Sequence, residues 1–251
     1  MIVDLNETRK EFINYTNEFD LNVIQIKRKQ SHSLRVMDLS KEIANSLELD
    51  EEKVQIATLI GLLHDVGRFP QFTKYKTFSD EKSIDHGDLG EQILIKDMRK
   101  YIKSNKYDHI IRLAVKNHNK YEIESGLTKR EQIFCKIIRD ADKLDILNEA
   151  TWYYWGDEIE KINNQKISKD AYEEFKQKII LKNRDGNEID NILREIALVF
   201  DINYKKSFEI LYENDYINKI LDRFKFTNEK TRNDMEEIRK IANEYLKGKI
   251  D

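Results

Sequence analysis

Asp50-Glu51-Glu52-Lys53-Val54-Gln55-Ile56-Ala57-Thr58-Leu59-Ile60-Gly61-Leu62-Leu63-His64-Asp65-Val66-Gly67-Arg68 reads as a capped, apolar helix that ends in a polar pair and a glycine turn. Asp50 stands where a side-chain oxygen can accept from orphan backbone N–H groups, and Val54, Ala57, Ile60 and Leu63 recur behind it at helical spacing. The apolar run then gives way at once to His64 and Asp65, followed by Gly67. A buried helix that stops this way presents two potential metal ligands at its C-terminus.

The surrounding chain predicts a scaffold of the same kind. Its 251 residues include one Pro and eight Gly. An all-β sandwich or barrel needs turn residues about every ten positions, and a doubly wound sheet needs glycines at its strand-to-helix turns. This composition supplies neither, so the fold class expected is all-α. With 36% charged and 39% apolar residues, the chain has the make-up of amphipathic helices with wet outer faces.

Periodicity predicts helices over 4–17 and 21–47, with Asp20 as the N-cap of the second, and then the helix capped by Asp50. Further helices are expected over 86–103, 107–118 and 129–150, the last opened by a Thr128/Glu131 capping box. Mixed-charge helices follow over Asp170–Leu181, Glu188–Phe200, Tyr204–Asp222 and Asn228–Leu246, with Lys182-Asn183-Arg184-Asp185-Gly186-Asn187 as a polar break. Gly67 to Asp85 shows no sustained period. Pro70 sits there among Phe69, Phe72, Tyr75 and Phe78, which predicts an ordered loop anchored by its rings, one of them lining a pocket. No clear linker appears, and a catalytic core over 1–155 with a C-terminal helical part, 156–251, packed on it is expected.

Several function classes fall away. Forty-four basic against 47 acidic residues give a net charge of −3, so there is no global electrostatic case for nucleic acid or an anionic membrane. A single Cys excludes an internal disulfide framework and a Cys-based zinc site. Asp4 and Glu7 stand where a signal peptide needs an apolar run, and the stretch Ala57 to Leu63 is too short to span a bilayer, so a cytoplasmic location is expected.

Of the five histidines, His32, His64, His86 and His118 fall at predicted helix ends or beside acids. Imidazole plus carboxylate is a ligand set for Zn, Mn, Fe, Co or Ni. No two of these histidines stand at i, i+4, so a site must be assembled from several helices. His109 lacks that acidic setting apart from Asp108 and is left out of the site; Cys135 lies in an apolar helix pattern and reads as packing.

Taken in order, Ser31-His32-Ser33-Leu34-Arg35-Val36, Leu62-Leu63-His64-Asp65-Val66-Gly67-Arg68, Asp85-His86, Asn117-His118-Asn119-Lys120 and Arg139-Asp140-Ala141-Asp142-Lys143-Leu144-Asp145 resemble the HD superfamily of metal-dependent phosphohydrolases, in its two-metal H…HD…H…H…D form. The resemblance spans about 25–150. It implies that His32, His64, Asp65 and Asp142 hold a first metal and that Asp65 bridges to a second held by His86 and His118. Asp142 follows from the family's Ala-Asp-Lys/Arg-Leu pattern; on a helical wheel Asp145 lies nearer the apolar stripe of Ile133, Phe134, Ile137, Ala141 and Leu144.

The implied cofactors are two divalent cations (Mn, Fe, Co, Ni, Zn or Mg), and the implied reaction is cleavage of a phosphoester of a small molecule, a nucleotide above all, by metal-bound hydroxide. Asp65 and Arg68 are the expected catalytic residues, and Arg68, Arg35, Lys120 and Lys143 the expected substrate cations. Arg28 and Arg35 stand at i−4 and i+3 from His32 and can share its face; the Lys27-Arg28-Lys29 run reads as a wet helix face. Two alternatives remain: a di-iron oxygenase of the same superfamily, and a non-enzymatic sensor that only binds metal or nucleotide. The Trp152-Tyr153-Tyr154-Trp155 cluster reads as an aromatic seam, with substrate shaping or a homodimer contact as other roles. The proline and Gly61, Gly67, Gly87 and Gly90 all fall between 61 and 90, the stretch that also holds His64, Asp65, Arg68 and His86.

Overall fold

In the computed structural model, which describes residues 2–153, 156–181 and 186–251, the chain is all-α. Tyr154 and Trp155 of the aromatic cluster and Lys182–Asp185 of the polar break lie outside the described residues. Two compact units form, Met1–Asp142 and Lys143–Asp251.

The first unit contains α1 (Leu5–Thr16), α2 (Ile24–Ser46), α3 (Glu51–Leu63), α4 (Arg68–Tyr75), α5 (His86–Tyr101), α6 (Asp108–Asn117) and the start of α7 (Lys129–Ala150). Asp50 caps α3 by accepting from Lys53 N at 2.9 Å. Every residue of α3 from Val54 to Leu63 is buried, and α1, α2 and α6 pack directly on it. Its close approach to α2 depends on Gly61, where a Cβ would meet Ser40 Oγ at 2.5 Å and the Val36 carbonyl at 2.8 Å. Thr128 and Glu131 form the capping box of α7: Thr128 N donates to Glu131 Oε2 at 2.8 Å and Glu131 N to Thr128 Oγ1 at 3.3 Å.

Two local expectations are corrected here. Asp20 does not cap α2, which starts four residues later with Val23 at its N-cap; Asp20 instead accepts from Asn22 in the preceding turn. The segment after Gly67 is not all loop. Pro70 sits in the first turn of α4, where a missing N–H breaks no helical bond and the fixed φ fits the helix. Phe69 anchors this helix: it is fully buried against Phe12, Tyr15 and Phe19, with ring centroids 6.1, 5.9 and 5.6 Å away.

The second unit continues from α7 through α8 (Ile159–Asn163), α9 (Lys169–Lys176), α10 (Glu188–Ala197), α11 (Lys205–Glu213), α12 (Tyr216–Leu221) and α13 (Glu229–Ile250). The buried stripe of α10, Ile189, Ile192, Leu193 and Ile196, and the ring chain Phe175–Phe200–Tyr245, with centroids 5.0 Å apart at each step, form its core. The continuous helix expected over 204–222 is broken at Asp215, which adopts the left-handed conformation (φ 54°) that Asp tolerates better than most residues. Trp152 packs edge-on against Tyr153 and stays exposed. No helix among the described residues is long and apolar enough to cross a membrane.

Candidate metal centre

Helices α2, α3, α5, α6 and α7 bring His32, His64, Asp65, His86, His118 and Asp142 to one place. His64 and His118 take the positions directly after the last turns of α3 and α6, His86 opens α5, and His32 lies within α2. The turn between Leu63 and Arg68 is held by Tyr15, whose hydroxyl donates to the Val66 carbonyl at 2.8 Å. It is also pressed against the start of α5: a Cβ on Gly67 would meet the His86 carbonyl at 2.2 Å. Gly67 thus lets the end of α3 and the first turn of α5 touch, which sets Asp65 beside His86.

Asp65 is buried and turns its two oxygens to different partners. Oδ2 lies 3.4 Å from His64 Nε2 and 3.6 Å from His32 Nε2, whereas Oδ1 lies 3.5 Å from both His86 Nε2 and His118 Nε2. Asp142 Oδ1 completes the first group, 3.1 Å from His32 Nε2 and 3.6 Å from His64 Nε2. Ligands about 2.1 Å from a common cation, at tetrahedral or octahedral angles, stand roughly 3.0–3.4 Å apart. The observed spacings, 3.1–3.6 Å, lie within that range or a few tenths of an ångström above it.

The tautomers point the same way. His64 Nδ1 donates to the Gly61 carbonyl at 2.8 Å, His118 Nδ1 to the Val115 carbonyl at 2.6 Å and His86 Nδ1 to Asp80 Oδ2 at 2.7 Å. Carbonyl and carboxylate oxygens only accept, so each Nδ1 carries the proton and each Nε2 of a neutral ring offers a lone pair to the centre. His86 Nε2 and His118 Nε2 are 3.0 Å apart. Two lone pairs at that distance repel unless positive charge lies between them, so this donor set fits a cation.

The ionisation balance agrees. Burial alone would raise the pKa of Asp65, but the Lys29 ammonium and the His64 and His118 imidazoles outweigh it and hold the carboxyl well below the usual range. Asp142 is likewise held low against burial by hydrogen bonds from His32 and His64. Burial, then the Arg68 guanidinium, pushes His86 down to about 4, and burial lowers His118. Burial also opposes charge on His64, yet the carboxylates of Asp65 and Asp142 reverse this and hold it up at about 10. The two buried carboxylates thus draw positive charge to their side of the centre, onto His64, while His86 and His118 are held toward the neutral form.

Among the expected cations, Arg68 lies at the centre: its Nε is 3.7 Å from Asp65 Oδ1 and is buried without a protein hydrogen-bond partner. Its Nη1 donates to Gln71 Oε1, the Phe78 carbonyl and Asp80 Oδ1 at 2.8, 2.6 and 3.0 Å. Lys120 is instead paired with Asp85 and Asp88, at 2.7 and 2.9 Å, and Lys143, in the second unit, with Asp201 at 2.8 Å. Arg35 is half-buried on α2, one turn beyond His32.

Sequence reasoning missed Lys29. Its Nζ lies 2.7 Å from Asp65 Oδ2 and 5.9 Å from the centre of the Phe78 ring, over which Arg68 also sits. Its place three residues before His32 was the available signal. Asp80 was missed too, and nothing in its spacing marks it. Asp145 and Asp140 are both buried on α7, as the apolar side of the wheel suggests for Asp145. His109 is exposed and pairs with Glu131, away from the cluster.

Residues 30–147 match the family described as the HD domain. The chain is also 29% identical over 152 residues to the Uncharacterized protein MG461 homolog of Mycoplasma pneumoniae, across 57% of this chain and 35% of that protein. The chain thus spans about a third of the length of that curated relative. No solved structure matches. An HD domain implies divalent-metal binding, and the matched span contains the whole cluster from His32 to Asp142. Residues 30–147 therefore form an HD domain.

Proposed function

We propose that this chain hydrolyses a phosphoester of a small molecule, with nucleotides as the leading substrate class, at a centre of two divalent cations. The observation that carries the reading is the division of Asp65: one oxygen faces the His32/His64 pair and the other the His86/His118 pair. His32, His64 and Asp142 would hold one cation and His86 and His118 the other, with Asp65 shared. When bound, such a pair supplies an activated water and neutralises the phosphoryl oxygens.

The chain's own groups do the rest. The carbonyls of Gly61 and Val115 hold two rings with Nε2 turned inward. Lys29 and Arg68 stand beside Asp65 and supply positive charge for a phosphoryl group, Arg68 through its unpaired Nε. The half-buried Phe72 and Phe78 rings, 4.8 Å apart and tilted by 43°, put aromatic surface next to these cations against which a base can pack.

The test is phosphate release from a panel of nucleotides and simple phosphate esters by protein loaded in turn with Mn, Co, Zn, Fe and Mg, with Asp65→Ala as control. Metal-dependent release that the substitution abolishes is expected. No release with any metal, or oxygen uptake by the iron form without hydrolysis, overturns the reading.

A further inference from the structure

His86 differs from its neighbours in how its ring is held. His64 and His118 follow the last turns of their helices, so the carbonyl three residues back is in reach of each Nδ1. His86 is the first residue of α5 and has no helical turn before it. Its Nδ1 is met instead by a carboxylate from the segment between α4 and α5: Asp80 Oδ2 at 2.7 Å and Oδ1 at 2.9 Å.

Asp80 is itself fixed on several sides. Its Oδ1 accepts from Gln71 Nε2 at 2.7 Å and Arg68 Nη1 at 3.0 Å, and its Oδ2 from Asn119 Nδ2 at 3.1 Å. Gln71 is fully buried and also donates to Ser83 Oγ and the Ile84 carbonyl, at 3.0 and 2.8 Å, which ties the segment to α4. Ser83 Oγ donates to the Ser79 carbonyl at 2.6 Å, closing the turn that contains Asp80. One carboxylate therefore holds both a ring at the centre and the guanidinium beside it.

We infer that Asp80 is a positioning residue that fixes His86 as a ligand of the second cation and, through the same carboxylate, sets Arg68 beside Asp65. The inference rests on the two-cation reading. A carboxylate behind a ligating imidazole fixes its tautomer and makes Nε2 more basic, and loss of such a partner typically weakens metal binding about 10–100-fold. The consequence is asymmetric: the Asp80 carboxylate is engaged by His86, Arg68, Gln71 and Asn119, so the weakening falls on the second cation and the site of His32, His64 and Asp142 keeps its affinity.

The experiment is a calorimetric manganese titration of the metal-free full chain, wild type against Asp80→Asn, together with ¹⁵N NMR of the histidine side chains. Wild type is expected to take up two equivalents. In Asp80→Asn the first is expected to bind with affinity unchanged within about threefold, and the second about 10–100-fold more weakly, while the His86 signals move from the Nδ1–H form toward a mixture. Asp80→Ser serves in its place where Asp80→Asn does not fold, and Asp80→Glu is expected to recover part of the second affinity. Equal weakening of both equivalents, or none in either with an unchanged His86 tautomer, overturns the role of Asp80. A wild-type chain that takes up no metal overturns the two-cation reading itself and this inference with it.

Discussion

The Nζ of Lys29 lies 2.7 Å from Oδ2 of Asp65, the oxygen that also faces His32 and His64. The ammonium thus sits where a cation and a phosphoryl oxygen would both approach. Lys29→Met removes a charge-assisted hydrogen bond of about 1.5–3 kcal/mol, so KM for a phosphoester is expected to rise about 10–100-fold. Metal affinity should stay level or tighten, because the amine no longer competes for Oδ2. Steady-state kinetics alongside metal titration check both; an unchanged KM would show that Lys29 does not meet the substrate.

Metal removal has a second readout in stability. A cation that binds the folded chain and not the unfolded one adds about 2.7 kcal/mol at a hundred times its Kd. For a chain of this size that corresponds to a rise in Tm of about 5–10 °C. Thermal unfolding with saturating manganese, then with chelator, should show the rise and its reversal, and Asp65→Ala should show a smaller rise or none.

Gly67→Ala tests the contact that sets Asp65 beside His86. The added Cβ would fall 2.2 Å from the His86 carbonyl and 2.9 Å from Gly90 N, both backbone atoms that a rotamer change cannot move. Overpacking of this kind costs about 1–3 kcal/mol. Denaturant unfolding should show that loss, and the displaced α5 should weaken the second equivalent of metal more than the first.

Cys135 gives a pH-linked prediction remote from the chemistry. It is fully buried, and burial, with Glu124 adding to it, pushes its thiol up to about 12. The thiolate is the reactive form, so a raised pKa leaves less of it at any given pH, about one part in ten thousand at pH 8. Alkylation at pH 8 should therefore be negligible in the folded protein and should appear with unfolding. Fast labelling of the native chain would contradict the burial of this face of α7.

What the sequence made legible, and what it hid, follows the reach of periodicity. The cap of Asp50, the box of Thr128 and Glu131 and the buried run to Leu63 are local patterns, and the structure repeats them. The convergence of His32, His64, Asp65, His86, His118 and Asp142 was legible only as an ordered motif set, since no two of the histidines share a helix. On α7 the wheel alone favoured Asp145, while Asp142 is the residue that meets His32. Pro70 misled because a proline in the first turn looks, in sequence, like one that ends a helix. Lys29 was hidden within a charged run, and the choice of Arg28 and Arg35 as its face-mates passed over the residue three places before His32. Asp80 lies in a segment without period, where no spacing reports which way a side chain faces.

The most direct test of the two-cation centre is elemental analysis of the wild-type chain after equilibrium dialysis against manganese, beside Asp65→Ala treated identically. Two metal ions per wild-type chain are expected, with a loss of both, or all but one, in the variant. Fewer than one ion per wild-type chain, or an equal content in the two proteins, would contradict that centre.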